Sequence, residues 1–171
     1  MPDTSVALTT SLPLTRFVFR GRPAAIAAAE KAFGVALPDK ACTAAVAGER
    51  SALWLGPDEW LLLAPAGQRD SIDASFGDTL GELPHSLVDV GERQIAFILS
   101  GPQATVLLNA ACPLDFDTIP VGFCSRTILG KAEIVLWRTG VDVFHIEVWR
   151  SFASYVSLLL TEAGREFGLK A

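Results

Sequence analysis

The chain has few groups that could do chemistry, and this scarcity narrows its function before any pattern is read. Its 171 residues include two histidines, three cysteines and one methionine. His85 and His145 belong to no HxxxH or HExxH spacing, so a metal centre would have to recruit scattered carboxylates without the ligand repeat such sites carry. Cys42, Cys112 and Cys124 are odd in number, far apart and without a CxxC pair, which suits buried reduced thiols and argues against a disulfide framework. Glycine-rich loops are missing as well. Neither GxGxxG nor the P-loop pattern occurs, and Gly56-Pro57 and Gly101-Pro102 read as turns rather than phosphate cradles. Lysine and arginine form no cluster and the formal net charge is −5, which argues against nucleic acid as a partner. Half of the residues are apolar, yet charges interrupt every greasy stretch well before the roughly 18 residues of a membrane span. The N-terminus has no basic-then-apolar signal pattern, so a soluble, cytoplasmic protein without a membrane partner is expected.

What is present is amphipathic patterning, densest near the C-terminus. Arg126 to Arg138 and Val143 to Trp149 alternate as two half-buried strands do, with Thr139-Gly140-Val141-Asp142 supplying the turn between them. The period then lengthens. Phe152, Tyr155, Val156, Leu159, Leu160, Ala163 and Phe167 recur at helical spacing, Ser151 is placed to cap this helix, and Gly168 to stop it. Each element has one apolar face, so the helix is expected to lie across the hairpin.

Taken from the start, residues 1–14 lack a period and read as a mobile arm or an extended segment lying on something else. Arg16 to Arg20 is a short strand, and Pro23 and Gly34 bracket an alanine-rich helix. Cys42 to Gly48, Ser51 to Leu55 and Trp60 to Ala64 read as strands, the last two joined by a Gly56-Pro57-Asp58-Glu59 turn, and a helical pattern follows from Asp70 to Leu83. His85 to Gly91 reads as a link into a buried strand, Gln94 to Leu99. Ser100 and Gln103 have capping-box spacing ahead of a helix from Pro102 to Ala111, and Asp115 to Gly122 is loop. The two halves look alike at an offset of about eighty residues, each reading strand, helix, paired strands, helix. The fold class is therefore α+β: two similar halves of antiparallel sheet with helices packed on one face. The expected division is an arm over 1–14, a first half over 15–84 and a second over 85–171, the halves packed as one compact unit.

Candidate functional residues are correspondingly sparse. His145 and Glu147, two apart on a strand, share a face and could form an acid/base pair, but with no accompanying nucleophile a polar edge or a hydrogen-bonded interface residue is the favoured reading. Asp89-Val90-Gly91-Glu92-Arg93 places two carboxylates and an arginine around a turn, where a local ion pair is favoured over a small polar ligand. More informative are Trp54, Trp60, Trp137 and Trp149 with Arg126, Arg138 and Arg150. On alternating strands these cannot all face one core, and tryptophan and arginine are enriched at the centres of protein interfaces. Arg126, Trp137, Arg138, Trp149 and Arg150 are thus the candidate partner-binding set, and no catalytic, cofactor-binding or metal residue is assigned.

An ordered series of segments carries a resemblance. Trp54 to Leu63, Val88 to Gln94, Leu99 to Ala104, Leu107 to Asp115, Arg126-Thr127, Leu136 to Arg138 and Glu147 to Tyr155 resemble the gamma subunits of heterotetrameric sarcosine oxidases. The Asp89-Val90-x-x-Arg93 and Ser100-Gly101-Pro102-x-Ala104 pieces also resemble the wider aminomethyltransferase (glycine-cleavage T-protein) fold. Gly91 stands where those relatives often have serine, so no transferase site is carried over to Asp89–Arg93. The resemblance implies a folate-binding-domain-like fold and a supporting, non-catalytic role beside alpha, beta and delta subunits. In such complexes alpha holds NAD and the folate site, beta holds flavin and oxidises the N-methyl amine, and delta carries zinc, so no cofactor is expected on this chain. The complex converts sarcosine and oxygen to glycine, hydrogen peroxide and either formaldehyde or methylene-tetrahydrofolate. A free-standing folate-binding protein of the same fold is the alternative.

Overall fold

A computed structural model describes residues 5–169, which divide into two compact units, Leu12–Glu92 and the remainder, residues 5–11 with 93–169. Each contains one five-stranded antiparallel sheet. Among the described residues no helix is long and apolar enough to cross a membrane.

The first unit runs β2 (Leu14–Gly21), α1 (Pro23–Phe33), β3 (Ala44–Ala47), β4 (Arg50–Gly56), β5 (Glu59–Pro65), α2 (Arg69–Leu80) and β6 (His85–Asp89), with β1 (Ala7–Thr10) preceding it in the chain. Its sheet order is β3-β4-β5-β2-β6. Pro23 opens α1 and Gly34, at φ +77°, closes it, because proline needs no N–H in the first turn and only glycine enters the left-handed region without strain. Phe17 and Phe19 of β2 and Trp60 and Leu62 of β5 point to the helices, where they meet Ala29 and Phe33 of α1 and Ile72 and Phe76 of α2. Phe19 is the hub, its ring edge-on to Phe76 at 5.7 Å and 6.0 Å from Trp60. The Trp60 indole N–H donates to the Pro38 carbonyl at 2.8 Å, so this tryptophan is core.

The second unit repeats the plan with β7 (Gln94–Ser100), α3 (Ala104–Asn109), β8 (Cys124–Leu129), β9 (Ala132–Gly140), β10 (Val143–Trp149) and α4 (Ala153–Ala163). Its sheet order is β1-β7-β10-β9-β8, so β7 takes the place of β2 and the outer position held by β6 is filled by β1. The likeness reaches irregularities. In the β4–β5 hairpin the register skips a residue between Trp54 and Gly56, and in β9–β10 it skips one between Arg138 and Gly140. The short loops Gly48-Glu49 and Gly130-Lys131 both start on a glycine at positive φ, +59° and +60°, as a tight two-residue hairpin demands. Matching the bulges pairs Trp54 with Arg138. An alignment of Trp54 with Trp137 would be one residue out, which is enough to put a side chain on the other face.

Several expectations need correction. Arg126–Arg138 is not one strand: Gly130-Lys131 folds it into the β8–β9 hairpin, a turn hidden in a sequence whose alternation continues on either side. His85–Asp89 is not a link but the β6 edge strand, paired with β2, so the boundary falls after Glu92 and not after residue 84. The segment expected as an arm contains β1, whose Ala7–Thr10 pairs with Ser100–Phe97; residues 1–4 lie outside the described residues. Ser100 ends β7 and cannot cap α3, which begins only at Ala104 after a turn at Gly101. Ser151 sits within a 3-10 turn, Arg150–Phe152, ahead of α4. That helix stops at Ala163, and Leu169 folds back onto Gly164, where a side chain would meet Leu169 at 2.8 Å; Gly168, at φ +80°, ends a further short turn. As expected, α4 covers the hairpin, Val156 and Leu160 joining Ile134, Leu136, Phe144, Ile146 and Val148 in one core.

Gly130 carries a second constraint. The Tyr155 hydroxyl of α4 accepts the Lys131 N–H at 3.1 Å, and a Cβ on Gly130 would clash with that oxygen and lie 2.8 Å from Leu159. Gly48 has the same φ with nothing within 4 Å. Gly48→Ala should therefore cost the backbone strain alone, about 1–2 kcal/mol, and Gly130→Ala measurably more. Urea unfolding of the two variants checks this, and equal losses would show that α4 does not bear on the turn.

Candidate functional site

Strand parity sorts the second unit's side chains between two faces. Ile134, Leu136, Phe144, Ile146, Val148, Phe97 and Leu99 turn to the helices. The opposite, helix-free face carries the residues at alternate positions, and the register arranges them in rows: Cys124, Trp137, His145 and Ile98; then Arg126, Val135, Glu147 and Ala96; then Trp149 and Gln94. This face is not simply solvated. His145 is 6% exposed and Glu147 0%, and both neighbouring strands contribute residues as buried as Val135 and Ala96.

The pairing of His145 with Glu147 occurs as its spacing suggests. His145 Nε2–H donates to Glu147 Oε1 at 2.8 Å, and the imidazole lies 5.9 Å from the Trp137 ring. A carboxylate this deeply buried is tolerated only when partnered, and His145 is one such partner. Cys124, in the same row, is separated from His145 by Trp137 on the intervening strand.

The five candidate partner-binding residues do not form one cluster. Arg126 and Trp137 lie on the helix-free face, Arg126 exposed with Nε 4.0 Å from Glu133 and Trp137 half-buried. Trp149 lies on the same face at its far end, 43% exposed, with the Arg93 guanidinium 5.3 Å from its ring centroid. Arg150 follows in the 3-10 turn, exposed, its backbone N–H donating to the Arg93 carbonyl at 2.8 Å. Arg138 requires correction. It stands on the helix side, its guanidinium 5.3 Å from the Phe144 centroid, and donates from Nη1 to the carbonyls of Phe116 and Ile119 and from Nη2 and Nε to that of Val141. These bonds tie the Asp115–Gly122 loop and the β9–β10 loop to the sheet, leaving a guanidinium engaged with its own chain. Arg50 does a similar job in the first unit, donating to the Phe33 carbonyl at 2.7 Å and stacking over the Phe33 ring.

The Asp89 turn is ion-paired, but not locally as expected: the partner is Arg69 of α2, and Arg93 stacks on Trp149 instead. Asp89 accepts from Arg69 at 2.5 Å through one carboxylate oxygen and from the Gly91 N–H at 2.8 Å through the other. Two further residues were not singled out for function from sequence: Gln94, buried at the first position of β7 opposite Trp149, and Phe152, 41% exposed in the 3-10 turn. A lone glutamine at a strand start gives no periodic signal, and Phe152 reads as part of the apolar stripe of α4.

Comparison with known proteins gives this face a context. The sequence profile described as "Sarcosine oxidase, gamma subunit family" matches residues 20–166. The chain belongs to the sarcosine oxidase gamma subunit family. It is 34% identical over 144 residues to the sarcosine oxidase subunit gamma of Corynebacterium sp. (strain P-1), covering 82% of this chain and 70% of that one. It superposes with a TM-score of 0.91 and 28% identity on a chain of the heterotetrameric sarcosine oxidase from Corynebacterium sp. U-96, over 100% of this chain and 89% of that one. The glycine cleavage system aminomethyltransferase T from Bartonella henselae matches with a TM-score of 0.73 and 16% identity, over 94% of this chain and 46% of that one, and shows the fold alone. The two-sheet α+β class read from the sequence is thus the fold of the family.

Removing the Arg138 bonds should leave the Phe116, Ile119 and Val141 carbonyls without their charged donor. Arg138→Ala is expected to destabilise the chain by about 2–3 kcal/mol, with Arg138→Lys recovering only part because an ammonium cannot span three carbonyls as a planar fork does. Urea unfolding measures the loss. Amide exchange should quicken across residues 115–122; unchanged exchange there would show that the loop is held by other contacts.

Proposed function

We propose that this chain is the gamma subunit of a cytoplasmic heterotetrameric sarcosine oxidase and that it assembles with alpha, beta and delta subunits without contributing a catalytic residue. The observation that carries the reading is the match over the whole chain to one chain of a heterotetrameric sarcosine oxidase, at a TM-score of 0.91. The side-chain chemistry supports it: the paired His145 and Glu147 are buried against each other, and Arg138 is bound to its own loops. What remains exposed is suited to docking, namely Arg126, Trp149 and Arg150, with Trp137 half-buried between. In the assembled enzyme the net reaction is sarcosine, oxygen and water to glycine, formaldehyde and hydrogen peroxide, with methylene-tetrahydrofolate replacing free formaldehyde when folate accepts the carbon. Flavin, NAD and zinc belong in this reading to the partner subunits.

The runner-up is a free-standing folate-binding protein, favoured by the fold shared with an aminomethyltransferase. Expressed with the three partner subunits, the tagged chain should bring them down in fixed ratio with visible flavin absorption, and alone it should be colourless and inert toward sarcosine. Sarcosine oxidation by the isolated chain would refute the supporting role. Titrating the isolated chain with tetrahydrofolate should leave its tryptophan fluorescence unquenched beyond the inner-filter effect, whereas a saturable change would move the folate reading ahead.

A further inference from the structure

The second unit is completed by a segment that the rest of it does not carry. Residues 93–169 supply β7 to β10 with α3 and α4, and the fifth strand, β1, comes from the other end of the chain. In the first unit the matching position is filled by β6, which follows α2 in the same run of chain. Toward residues 93–169, β1 is therefore a tethered peptide, and its fit has three parts. The Ser11 N–H donates to the Ala96 carbonyl at 2.8 Å, and the alternation of the ladder from that pair turns the N–H and C=O groups of Ala96, Ile98 and Ser100 toward β1. Val6, 7% exposed, is part of the core that holds Phe97 and Leu99, and Leu8, opposite Leu99 in the ladder, packs against it, while Ala7 and Thr9 at alternate positions are exposed. Gly101, at φ +125°, ends the site, because a Cβ there would clash with the Ser5 carbonyl oxygen. None of the three parts involves a residue beyond Ser11. The chain then leaves through Leu12, 82% exposed, and Pro13, and β2 begins at Leu14. Backbone groups that give affinity and places for alternate side chains that give selectivity are what the addition of a strand requires.

We propose that the β7 edge, from Ala96 to Gly101, is a strand-acceptor site that takes residues 5–11 of a second copy of this chain in place of its own. The ligand is an extended peptide antiparallel to β7 with apolar side chains two residues apart, as Val6 and Leu8 are. A second copy is the source because its segment carries this pattern and reproduces every contact of the chain's own strand. The exchange gives up no contact. Only the tether, which supplies an effective concentration of about a millimolar for a short linker, favours the chain's own strand. The site does not depend on the subunit reading.

Two full-length variants separate the acceptor from the strand. Leu8→Asp spoils the strand and keeps the acceptor, whereas Gly101→Val blocks the acceptor and keeps the strand. With only the Leu8→Asp chain isotope-labelled, its Ala96, Ile98 and Ser100 amides should exchange fast when it is alone and slow by about tenfold or more when Gly101→Val is added in excess. Sedimentation should then show a mixed complex of one copy of each, which neither variant forms by itself. A synthetic peptide of residues 5–11, titrated through the millimolar range, should give the same protection, and the Leu8→Asp peptide none. Where Leu8→Asp does not fold, Leu8→Ser takes its place with the same partners and peptides. If neither the Gly101→Val chain nor the peptide slows these amides, the edge accepts its strand only through the tether and the proposal fails. Protection by the peptide without a mixed complex overturns the second copy as the occupant. Equal protection by the Leu8→Asp peptide, or amides in the Leu8→Asp chain as slow as in wild type, overturns the apolar requirement of the site.

Discussion

The ladder between β1 and β7 is the interaction on which the second unit depends. After β10 and α4 the chain ends its regular structure in a short turn around Arg165–Phe167, so nothing downstream in the described residues pairs with the open side of β7. Ala7–Thr10 supplies that strand from the other end of the sequence. Without it, β7 would be an edge carrying Phe97 and Leu99, with its backbone polar groups unpaired. The approach is close enough that a Cβ at Gly101 would clash with the Ser5 carbonyl oxygen, just ahead of β1. In the first unit the same position is filled locally by β6, which follows α2 directly in the chain.

A second constraint, strand parity, divides adjacent residues between unlike surroundings. Trp137 and Arg138 are neighbours in sequence, yet the tryptophan lies on the helix-free face beside His145 while the arginine stacks on Phe144 under the loops it pins. The bulges opposite Val143 and Glu59 preserve this division in both units. They also explain why two halves of low sequence likeness keep the same arrangement: both must pass an extra residue before the hairpin turns without reversing which side chains are buried.

Several polar groups of both units are engaged within the fold. Glu147 is spent on His145, Asp89 on Arg69 and Arg138 on loop carbonyls, so the polar groups that a sequence reader could nominate for catalysis serve the fold. The exposed remainder, Trp149, Phe152, Arg126 and the arginines near Trp149, is of the kind that binds protein surfaces.

Local signals were determined by the sequence alone wherever one residue type has one physical use. Pro23 and Gly34 bracket α1, Gly56 to Glu59 turns β4 into β5, and the alternation of Val143 to Trp149 makes β10, because φ restriction and side-chain period act within a few residues. The α+β class, the repeated halves and the His145–Glu147 contact were legible for the same reason. The β8–β9 turn was not, since the apolar Ile128, Ala132, Ile134 and Leu136 keep one phase in the sequence, whereas the two-residue turn reverses parity and makes Leu129, not Ile128, the buried residue. Nor was β6, whose exposed residues lack a buried face to give it a pattern. Only the tertiary structure decided that residues 7–10 close the distant sheet, that Arg138 faces loops while Trp137 does not, and that Gln94 is buried without a donor. These depend on which strands become neighbours, and strand neighbours are chosen by long-range packing and hydrogen bonding that no local window contains.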